Sequence, residues 1–206
     1  TVTLYDAVLQ GLKAAAAQAA RTALQAKSPE ELVNEVLIPA LDTVGAGFEK
    51  GVLFLPQLLQ SAGAAQAAFE VVKDAIAASG KKSGGKGKII VATVKGDIHD
   101  IGKNIVKTLL ENYGYDVLDL GRDVPADRVV EAVKQYGAKV VGLSALMTTT
   151  VPSMEKTIAR LHENGLFVPV IVGGAVLTPD YAKKIGADYY ARDAKQSADI
   201  AKSILG

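Results

Sequence analysis

Two side chains that could bind a metal or move a proton, Asp97 and His99, stand two residues apart in the polar segment 95–104. An aspartate at this spacing can hold one ring nitrogen of the histidine, which leaves the other nitrogen free for a metal or a proton. Gly102 follows, and a residue without a side chain permits the close approach of a bulky ligand. Asp97 could instead cap a following helix, and Asp100 fits a helix start better than a ligand contact, although it remains a candidate contact.

Two further segments carry candidate ligand contacts. One places four hydroxyl groups after an apolar run, at Ser144 and at residues 148–150. The other is the pair Gly173 and Gly174, which would let the backbone pack against a flat surface. Both have plainer interpretations, because the threonines could simply begin a helix and the glycines could form a tight turn.

From residue 88 onward, apolar runs of strand length alternate with amphipathic helical stretches. This alternation predicts right-handed βαβ units and a parallel sheet covered by helices on both faces. Five strands in a region of this size favour a flavodoxin-like, doubly wound sheet. The predicted strands are 88–94, 115–120, 139–144, 167–172 and 188–191, and the predicted helices lie near 102–113, 125–136, 151–164, 178–185 and 193–205.

The three candidate segments follow the first, third and fourth predicted strands. A doubly wound sheet binds its ligands beyond the carboxyl ends of its strands, at the point where the strand order reverses. We therefore expect Asp97, His99, Ser144 and Gly173 to lie at one ligand-binding edge of the sheet.

The first part of the chain, 1–80, predicts a bundle of four helices with short connections. Ser28 and Glu31 have the spacing of a capping box at the start of the third helix. Pro39 should kink that helix, because proline removes a backbone donor. The core positions predicted for the third and fourth helices are Leu32, Val36, Ala40, Val44, Leu59, Ala62, Phe69, Val72 and Ile76.

A segment rich in glycine and lysine, 81–88, separates the two halves of the chain. It has no apolar residues with which to build a core, so it predicts a flexible linker with solvated lysines. The expected organisation is a helical domain over 1–80 followed by an α/β domain over 89–206.

The composition excludes several kinds of protein. There is no cysteine, which rules out disulfides, zinc–thiolate sites and iron–sulfur clusters. The two histidines, His99 and His162, are too few for a multi-histidine metal site, and His162 is expected to be structural. A formal net charge of +1 lacks the basic excess of nucleic-acid-binding proteins. No signal peptide or membrane-spanning run is apparent, so we expect a cytoplasmic protein without a membrane partner.

Other proteins that use a flavodoxin-like sheet fit these segments poorly. A phosphate-accepting receiver domain needs an aspartate where Ser144 stands. The glycine spacing of a dinucleotide-binding fold and the Walker P-loop are both absent. A flavodoxin would usually offer a hydroxyl-rich phosphate loop after the first strand, where this chain has Asp97 and His99.

The three segments together resemble the fingerprint of the B12-binding domain family, in these residues: Asp97-x-His99-x-x-Gly102, Ser144-x-Leu146 and Gly173-Gly174. The segment 48–57 in the helical half is similar to the cap of cobalamin-dependent methionine synthase and of the small corrinoid proteins. Nearly the whole chain is covered by the resemblance. Its two-domain form most resembles the stand-alone corrinoid proteins of microbial methyltransferase systems.

The resemblance implies a bound cobalamin or related corrinoid, whose cobalt alternates between Co(I) and methyl-Co(III). His99 would be the lower ligand of cobalt, and Asp97 would hydrogen-bond the other ring nitrogen. A hydroxyl at Thr150, or alternatively at Thr148, would complete a proton relay. The nucleotide tail of the cofactor would descend into the sheet along Gly102, Ser144, Leu146, Gly173 and Gly174.

By the same resemblance, Phe48 and Leu55 would face the methyl side of the corrin as an apolar lid, although periodicity alone would place them in the bundle core. The chain would act as a methyl carrier between a substrate-specific methyltransferase and a second methyltransferase acting on tetrahydrofolate or a thiol. A reductive activator would be a further partner. Such a chain is a cofactor-carrying subunit of an O- or N-demethylase system and not a complete enzyme.

Two other functions stay open at this point. An adenosylcobalamin-dependent mutase subunit shares the Asp-x-His-x-x-Gly motif but normally occurs with a catalytic barrel. A B12-dependent sensor normally adds a DNA-binding segment. A requirement for methylcobalamin or for adenosylcobalamin would separate these alternatives from the methyl carrier. The identity of the methyl donor, whether methanol, a methylamine, a quaternary amine or an aryl methyl ether, is not encoded in any motif.

Overall fold

The computed structural model describes residues 2–78 and 86–206 of the chain. The chain divides into two compact units, Thr1–Gly80 and Lys81–Gly206. Each unit buries apolar side chains of its own and therefore has its own core. None of the helices in the described ranges has both the length and the apolar composition needed to cross a membrane.

The first unit is helical, as its sequence predicts. The expected capping box begins the third helix. The Ser28 hydroxyl accepts a hydrogen bond from the Glu31 N–H at 3.2 Å, and the Glu31 carboxylate accepts one from the Ser28 N–H at 2.8 Å. The elements of this unit are α1 (Leu4–Leu9), α2 (Lys13–Ala23), α3 (Pro29–Leu32), a π-helical turn (Val33–Leu37), α4 (Ile38–Glu49) and α5 (Leu55–Ala78).

Pro39 lies in the first turn of α4, directly after the π-helical turn that joins α3 to α4. A wider turn is one way for a helix to accommodate a proline, whose missing N–H removes a hydrogen bond. The turn also shifts the buried face. Val33 and Leu37 are buried, whereas Val36, which regular spacing placed in the core, is only partly buried. The disturbance predicted at Pro39 therefore takes the form of a π-helical turn.

The core face of α5 differs from the prediction in the first half of the helix. Phe69, Val72 and Ile76 are buried as expected, but Leu59 is 62 % exposed. Ser61 is buried on the inner face, and two residues of an α-helix correspond to a rotation of roughly 200°. Leu59 therefore lies on the opposite side of the helix from the core.

The second unit has five strands that form one parallel sheet. The second strand of the chain lies at one edge and is followed by the first, third, fourth and fifth, the flavodoxin-like order expected from the sequence. Its first strand begins at Lys88, which the predicted linker included, and residues 81–85 of that linker lie outside the described residues. The elements are β1 (Lys88–Thr93), α6 (Ile101–Asn112), β2 (Asp116–Asp119), α7 (Ala126–Tyr136), β3 (Val140–Ser144), a 3₁₀ turn (Thr148–Thr150), α8 (Val151–Glu163), β4 (Val170–Gly173), α9 (Pro179–Lys184), β5 (Tyr189–Ala191) and α10 (Ala194–Leu205).

The register of the sheet places the carboxyl ends of three strands side by side. Thr93 at the end of β1 is paired with Ser144 at the end of β3, and Ser144 is paired with Gly173 at the end of β4. Further down the same strands, Val141 and Val172 are fully buried and fix the strands in the core. The three segments identified from the sequence therefore leave the sheet at neighbouring points.

Candidate functional site

Asp97 is the central hydrogen-bond acceptor at this edge of the sheet, and it is fully buried. Its Oδ1 accepts from the His99 backbone N–H at 3.0 Å and lies 2.8 Å from Nδ1 of the His99 ring. Its Oδ2 accepts from the Leu146 N–H at 2.7 Å, the Met147 N–H at 3.3 Å and the Thr150 hydroxyl at 2.7 Å. One carboxylate thus joins the segment after β1 to the segment after β3.

The surroundings of Asp97 keep it ionised. Burial raises the pKa of the Asp97 carboxyl, but the hydrogen bonds from His99, Leu146 and Thr150 lower it by more, so that the pKa falls to about 2. An ionised carboxylate can only accept hydrogen bonds, so Nδ1 of His99 must donate to it. In a neutral imidazole this leaves Nε2 with a free lone pair. Within the described part of the chain Nε2 has no hydrogen-bond partner, and the His99 side chain is 44 % exposed.

The structure distinguishes between the two hydroxyls considered for the relay. Thr150 is 4 % exposed and its hydroxyl contacts the Asp97 carboxylate. Thr148 is exposed and does not contact Asp97. The 3₁₀ turn explains the difference, because it directs the first threonine to solvent and the third toward the sheet. The relay, as a set of contacts, consists of His99, Asp97 and Thr150.

Sequence reasoning missed Thr93, a fully buried hydroxyl at the end of β1. Its Oγ1 lies 2.9 Å from the Ser144 hydroxyl and 3.4 Å from the backbone oxygen of His99, the latter a long and weak contact. The signal that could have revealed it is its position, since a hydroxyl that ends β1 must neighbour the residue that ends β3.

A cavity of about 50 Å³ lies between the sheet and helices α6 and α10. Two of the predicted contact residues, Ser144 and Gly173, line it together with several apolar side chains. Lys103, which we did not single out, also lines it. Its side chain is 3 % exposed, and its ammonium group lies 2.8 Å from the Asp119 carboxylate and donates to the Gly121 carbonyl at 3.2 Å. This ion pair attaches the first turn of α6 to the end of β2.

The glycines of the motif have different surroundings. A Cβ at Gly102, in the first turn of α6, would meet no atom within 4 Å, so this backbone is open to a ligand. Gly174 has φ +145°, and a Cβ there would lie 1.8 Å from the backbone oxygen of Ala145. Gly173 has more room, since its Cβ would be 3.4 Å from the Ala191 oxygen. Gly174 is therefore required by the packing of the protein's own backbone, a role that the sequence did not reveal.

The remaining predicted residues are placed as follows. Asp100 occupies the cap position of α6 but makes no side-chain capping bond, and its carboxylate lies 3.9 Å from the Lys103 ammonium group. The Leu146 side chain is 42 % exposed beside the Asp97 cluster. In the helical unit, Phe48 at the end of α4 and Leu55 at the start of α5 are 41 % and 55 % exposed, so neither is a core residue of the bundle.

This arrangement suits a metal that brings most of its own ligands. Among the residues that the structure describes, no group of three or more His, Asp or Glu side chains could hold a metal ion. His99 alone offers one free ring nitrogen, whereas a zinc site needs at least three protein ligands. An oriented imidazole, the open backbone at Gly102 and the lining of Ser144 and Gly173 fit a corrinoid. The fold and the site thus define a carrier of a macrocyclic metal cofactor.

Two protein-family models match the chain, and both describe proteins that carry a macrocyclic metal cofactor. Residues 87–199 match a model described as B12 binding domain, and residues 3–73 match a second model with the same description. The chain belongs to the B12-binding family of corrinoid proteins.

Curated relatives resemble the chain over almost its full length. It is 43 % identical over 204 residues to dimethylamine corrinoid protein 1 of Methanosarcina acetivorans, with 98 % of this chain and 95 % of that protein covered. It is 40 % identical over 193 residues to trimethylamine corrinoid protein 1 of Methanosarcina mazei, with 92 % and 89 % covered.

Solved structures resemble the chain in the same way. The monomethylamine corrinoid protein of Methanosarcina barkeri superposes with a TM-score of 0.90 at 33 % identity, covering 98 % of this chain and 96 % of that one. A chain of the methanol:cobalamin methyltransferase complex of the same organism matches with a TM-score of 0.58 at 33 % identity, covering 98 % and 78 %.

Proposed function

We propose that the chain carries a methyl group on the cobalt of a bound corrinoid, with His99 as the lower ligand of the metal. The observation that carries this proposal is the orientation of His99, whose Nδ1 is held by a buried, ionised Asp97 while Nε2 stays free to coordinate. When bound, the corrinoid supplies a cobalt atom that takes up a methyl group and gives it up again. As a corrinoid protein, the chain carries the cofactor and relies on other proteins for catalysis.

Asp97 and Thr150 would set how strongly His99 binds the metal. A carboxylate that accepts from Nδ1–H fixes the tautomer and the ring orientation and makes Nε2 a stronger metal ligand. The Thr150 hydroxyl donates to the same carboxylate and withdraws part of that effect. A proton delivered to Nε2 would release the metal, because a histidine protonated on both nitrogens has no lone pair to donate.

The corrinoid would be held at the same edge of the sheet. Gly102 would allow close approach of the cofactor, and Ser144 and Gly173 would contact its nucleotide tail, since both line the cavity beside α6 and α10. The exposed Leu146 side chain would also contact the nucleotide tail. Gly174 would act indirectly, by allowing the segment after β4 to pack against Ala145.

Phe48 and Leu55 would form the apolar surface that shields the methyl side of the corrin from water. The support is their exposure in the helical unit, where Val52 and Phe54 are also 70 % and 69 % exposed. Large apolar side chains exposed together usually mark a surface that becomes covered in the working protein. The test for this role is the rate at which air oxidises the reduced cobalt of the corrinoid-loaded protein. The substitution Phe48→Ala should increase this rate.

The partners of a corrinoid protein of this kind are methyltransferases. We propose one that delivers the methyl group from its substrate and a second that passes it to tetrahydrofolate or a thiol. We also propose a reductive activator, a partner that would supply electrons to a cofactor that has become oxidised. The described residues, 2–78 and 86–206, form a helical unit and a five-stranded sheet unit, and neither of these is a catalytic barrel.

We propose that the methyl donor is a methylamine. Support comes from the relatives named for dimethylamine and trimethylamine and from the structural neighbour named for monomethylamine. The experiment combines the holoprotein, reduced beforehand, with purified methyltransferases specific for each of the three methylamines or for methanol. Isotopically labelled methyl on the substrate should appear on the holoprotein in at least one methylamine reaction.

Two results would count against this function. Transfer from methanol alone would move the substrate class away from methylamines while leaving the carrier role intact. Transfer from none of the four donors, by a holoprotein that retains the corrinoid, would contradict the carrier role for these substrates. In the same assay His99→Ala should lose most of the methyl transfer. His162→Ala is the matched control and should retain it, because it removes the other imidazole of the chain and leaves the Asp97 cluster untouched.

A further inference from the structure

Asp123, in the connection between β2 and α7, holds an uncommon backbone conformation. Its φ is +55°, and among the described residues it is the one non-glycine with a positive φ. Aspartate is one of the few residues that tolerate this left-handed region, because its short side chain can hydrogen-bond locally. Non-glycine residues held in this region often lie beside functional sites.

In this conformation Asp123 forms hydrogen bonds with two backbone positions of the segment 95–99, which carries His99 and is called the histidine segment below. The Asp123 N–H donates to the backbone oxygen of Asp97 at 2.8 Å, and the Asp123 Oδ1 accepts from the Gly96 N–H at 2.8 Å. The Lys95 ammonium group lies 2.9 Å from the same oxygen. These hydrogen bonds hold the pKa of Asp123 below its usual value, the Gly96 N–H having the largest effect, so the side chain is charged at neutral pH.

These contacts restrain the peptide segment from which the Asp97 side chain projects. Gly96 has φ +86° and no side chain of its own to pack, so the segment needs an external restraint. Asp97 must in turn stay within hydrogen-bond distance of the His99 ring, Leu146 and Thr150. A displacement of this backbone would therefore disturb the geometry of these hydrogen bonds.

We propose that Asp123 is a positioning residue that orients His99 toward the cobalt by fixing the backbone of Gly96 and Asp97. This inference rests on the proposed function, because it takes His99 as the lower ligand. Asp123 itself does not contact His99, and it acts through Asp97. The specific requirement is an oxygen acceptor for the Gly96 N–H on a residue that adopts a positive φ.

Three variants of the chain, loaded with hydroxocobalamin and desalted, separate this role from a general structural one. Asp123→Gly keeps the backbone conformation and the N–H donor but removes the carboxylate. Asp123→Asn keeps an oxygen acceptor and also tolerates a positive φ. Asp193→Gly is the matched control at the same edge of the sheet, since Asp193 accepts from the Gln196 N–H at 2.7 Å and does not contact the histidine segment.

The measured quantity is the fraction of bound cobalamin that has histidine on cobalt, taken from the visible spectrum at equal saturation. We expect Asp123→Gly to lower the equilibrium constant for histidine ligation by about tenfold. This is the lower end of the range found when the direct partner of a metal ligand is removed, because Asp123 acts through Asp97. Asp123→Asn should restore most of the ligation, and Asp193→Gly should resemble the wild type. Equal ligation in Asp123→Gly and the wild type would overturn the inference, as would an equal loss in Asp193→Gly.

A measurement on the unmodified chain covers the case in which Asp123→Gly does not fold. The Gly96 amide proton should exchange slowly with solvent, because Asp123 accepts its hydrogen bond, and exchange at the rate of an unstructured peptide would overturn the inference. Failure of the proposed function looks different. In that case the wild type itself would show no histidine-bound cobalt, whatever the behaviour of the Asp123 variants.

Discussion

Replacing Gly174 by alanine is expected to destabilise the sheet unit by about 3 kcal/mol or more. The added Cβ would lie 1.8 Å from the Ala145 backbone oxygen, and φ +145° is a conformation that L side chains rarely adopt. Overpacking and backbone strain each cost about 1–3 kcal/mol, and here both act at one residue. The two atoms in contact, the added Cβ and the Ala145 backbone oxygen, are both fixed by the backbone, so a rotamer change cannot relieve the strain. The measurement is urea unfolding of the chain without cofactor.

Tyrosine fluorescence makes this measurement specific to the sheet unit. Tyr5 is the only one of the seven tyrosines that lies in the first unit, so the signal reports mainly on the second. Gly102→Ala is the matched control. Its Cβ meets no atom within 4 Å, so stability should be unchanged or rise by up to about 1 kcal/mol. Corrinoid binding should nevertheless weaken. Wild-type stability in Gly174→Ala would show that the close approach to Ala145 is not required.

The second large effect is expected for Asp97→Asn. The amide could present an oxygen to only one side of the residue, so its NH₂ group would face donors, either from His99 or from Leu146 and Thr150. Leaving buried donors unsatisfied costs about 1–3 kcal/mol. The lowered pKa of Asp97 gives a second value for the same free energy, since a fall from 3.8 to about 2 corresponds to roughly 2.5 kcal/mol. Both values indicate a loss of about 2–3 kcal/mol at neutral pH.

The effect of Asp97 should depend on pH in a defined direction. The folded protein lowers the pKa of this carboxyl, so its contribution to stability is fully present above the unfolded value of 3.8 and disappears as the pH falls through about 2. The difference in unfolding free energy between the wild type and Asp97→Asn should therefore be constant near neutrality. It should shrink between pH 4 and pH 2.

The control for this substitution is Asp193→Asn. Asp193 also accepts a backbone N–H, but it is partly exposed, and asparagine caps a helix about as well as aspartate. We expect no measurable change in stability for the control. If the free energy of unfolding of Asp97→Asn equalled that of the wild type at every pH, the buried carboxylate would not be the group that joins the segments after β1 and β3.

Most of the fold was predictable because apolar periodicity and turn residues mark each element. The strand predicted over 88–94 is β1, Lys88–Thr93. The start of β4 was placed too early, at Phe167 instead of Val170. Phe167 is 75 % exposed and its ring stacks on His162 with 5.3 Å between the centroids. An apolar run does not reveal where pairing begins, and Pro169 has no N–H to contribute to the sheet.

The sequence predicted which strand ends form the candidate site, but it did not predict the hydrogen bonds within the site. The motif residues were found because each ends or follows a strand, and the order of a doubly wound sheet brings those strand ends together. The partners were not predictable, since they depend on contacts between distant segments. Two hydrogen bonds are of this kind, one between Thr93 and Ser144 and one from the Gly96 N–H to Asp123. The choice of Thr150 over Thr148 likewise required the orientation of the 3₁₀ turn.

The most direct test of the central claim is the electron paramagnetic resonance spectrum of the Co(II) form of the protein, loaded with cobalamin. The chain is prepared with natural histidine or with histidine labelled with nitrogen-15 in the ring. If His99 is the lower ligand, labelling changes the nitrogen splitting from three lines to two in the wild type and in His162→Ala. His99→Ala should lose this label-dependent splitting. A wild-type spectrum that is the same with both histidines would contradict the account, because the ligand of cobalt would then be another nitrogen.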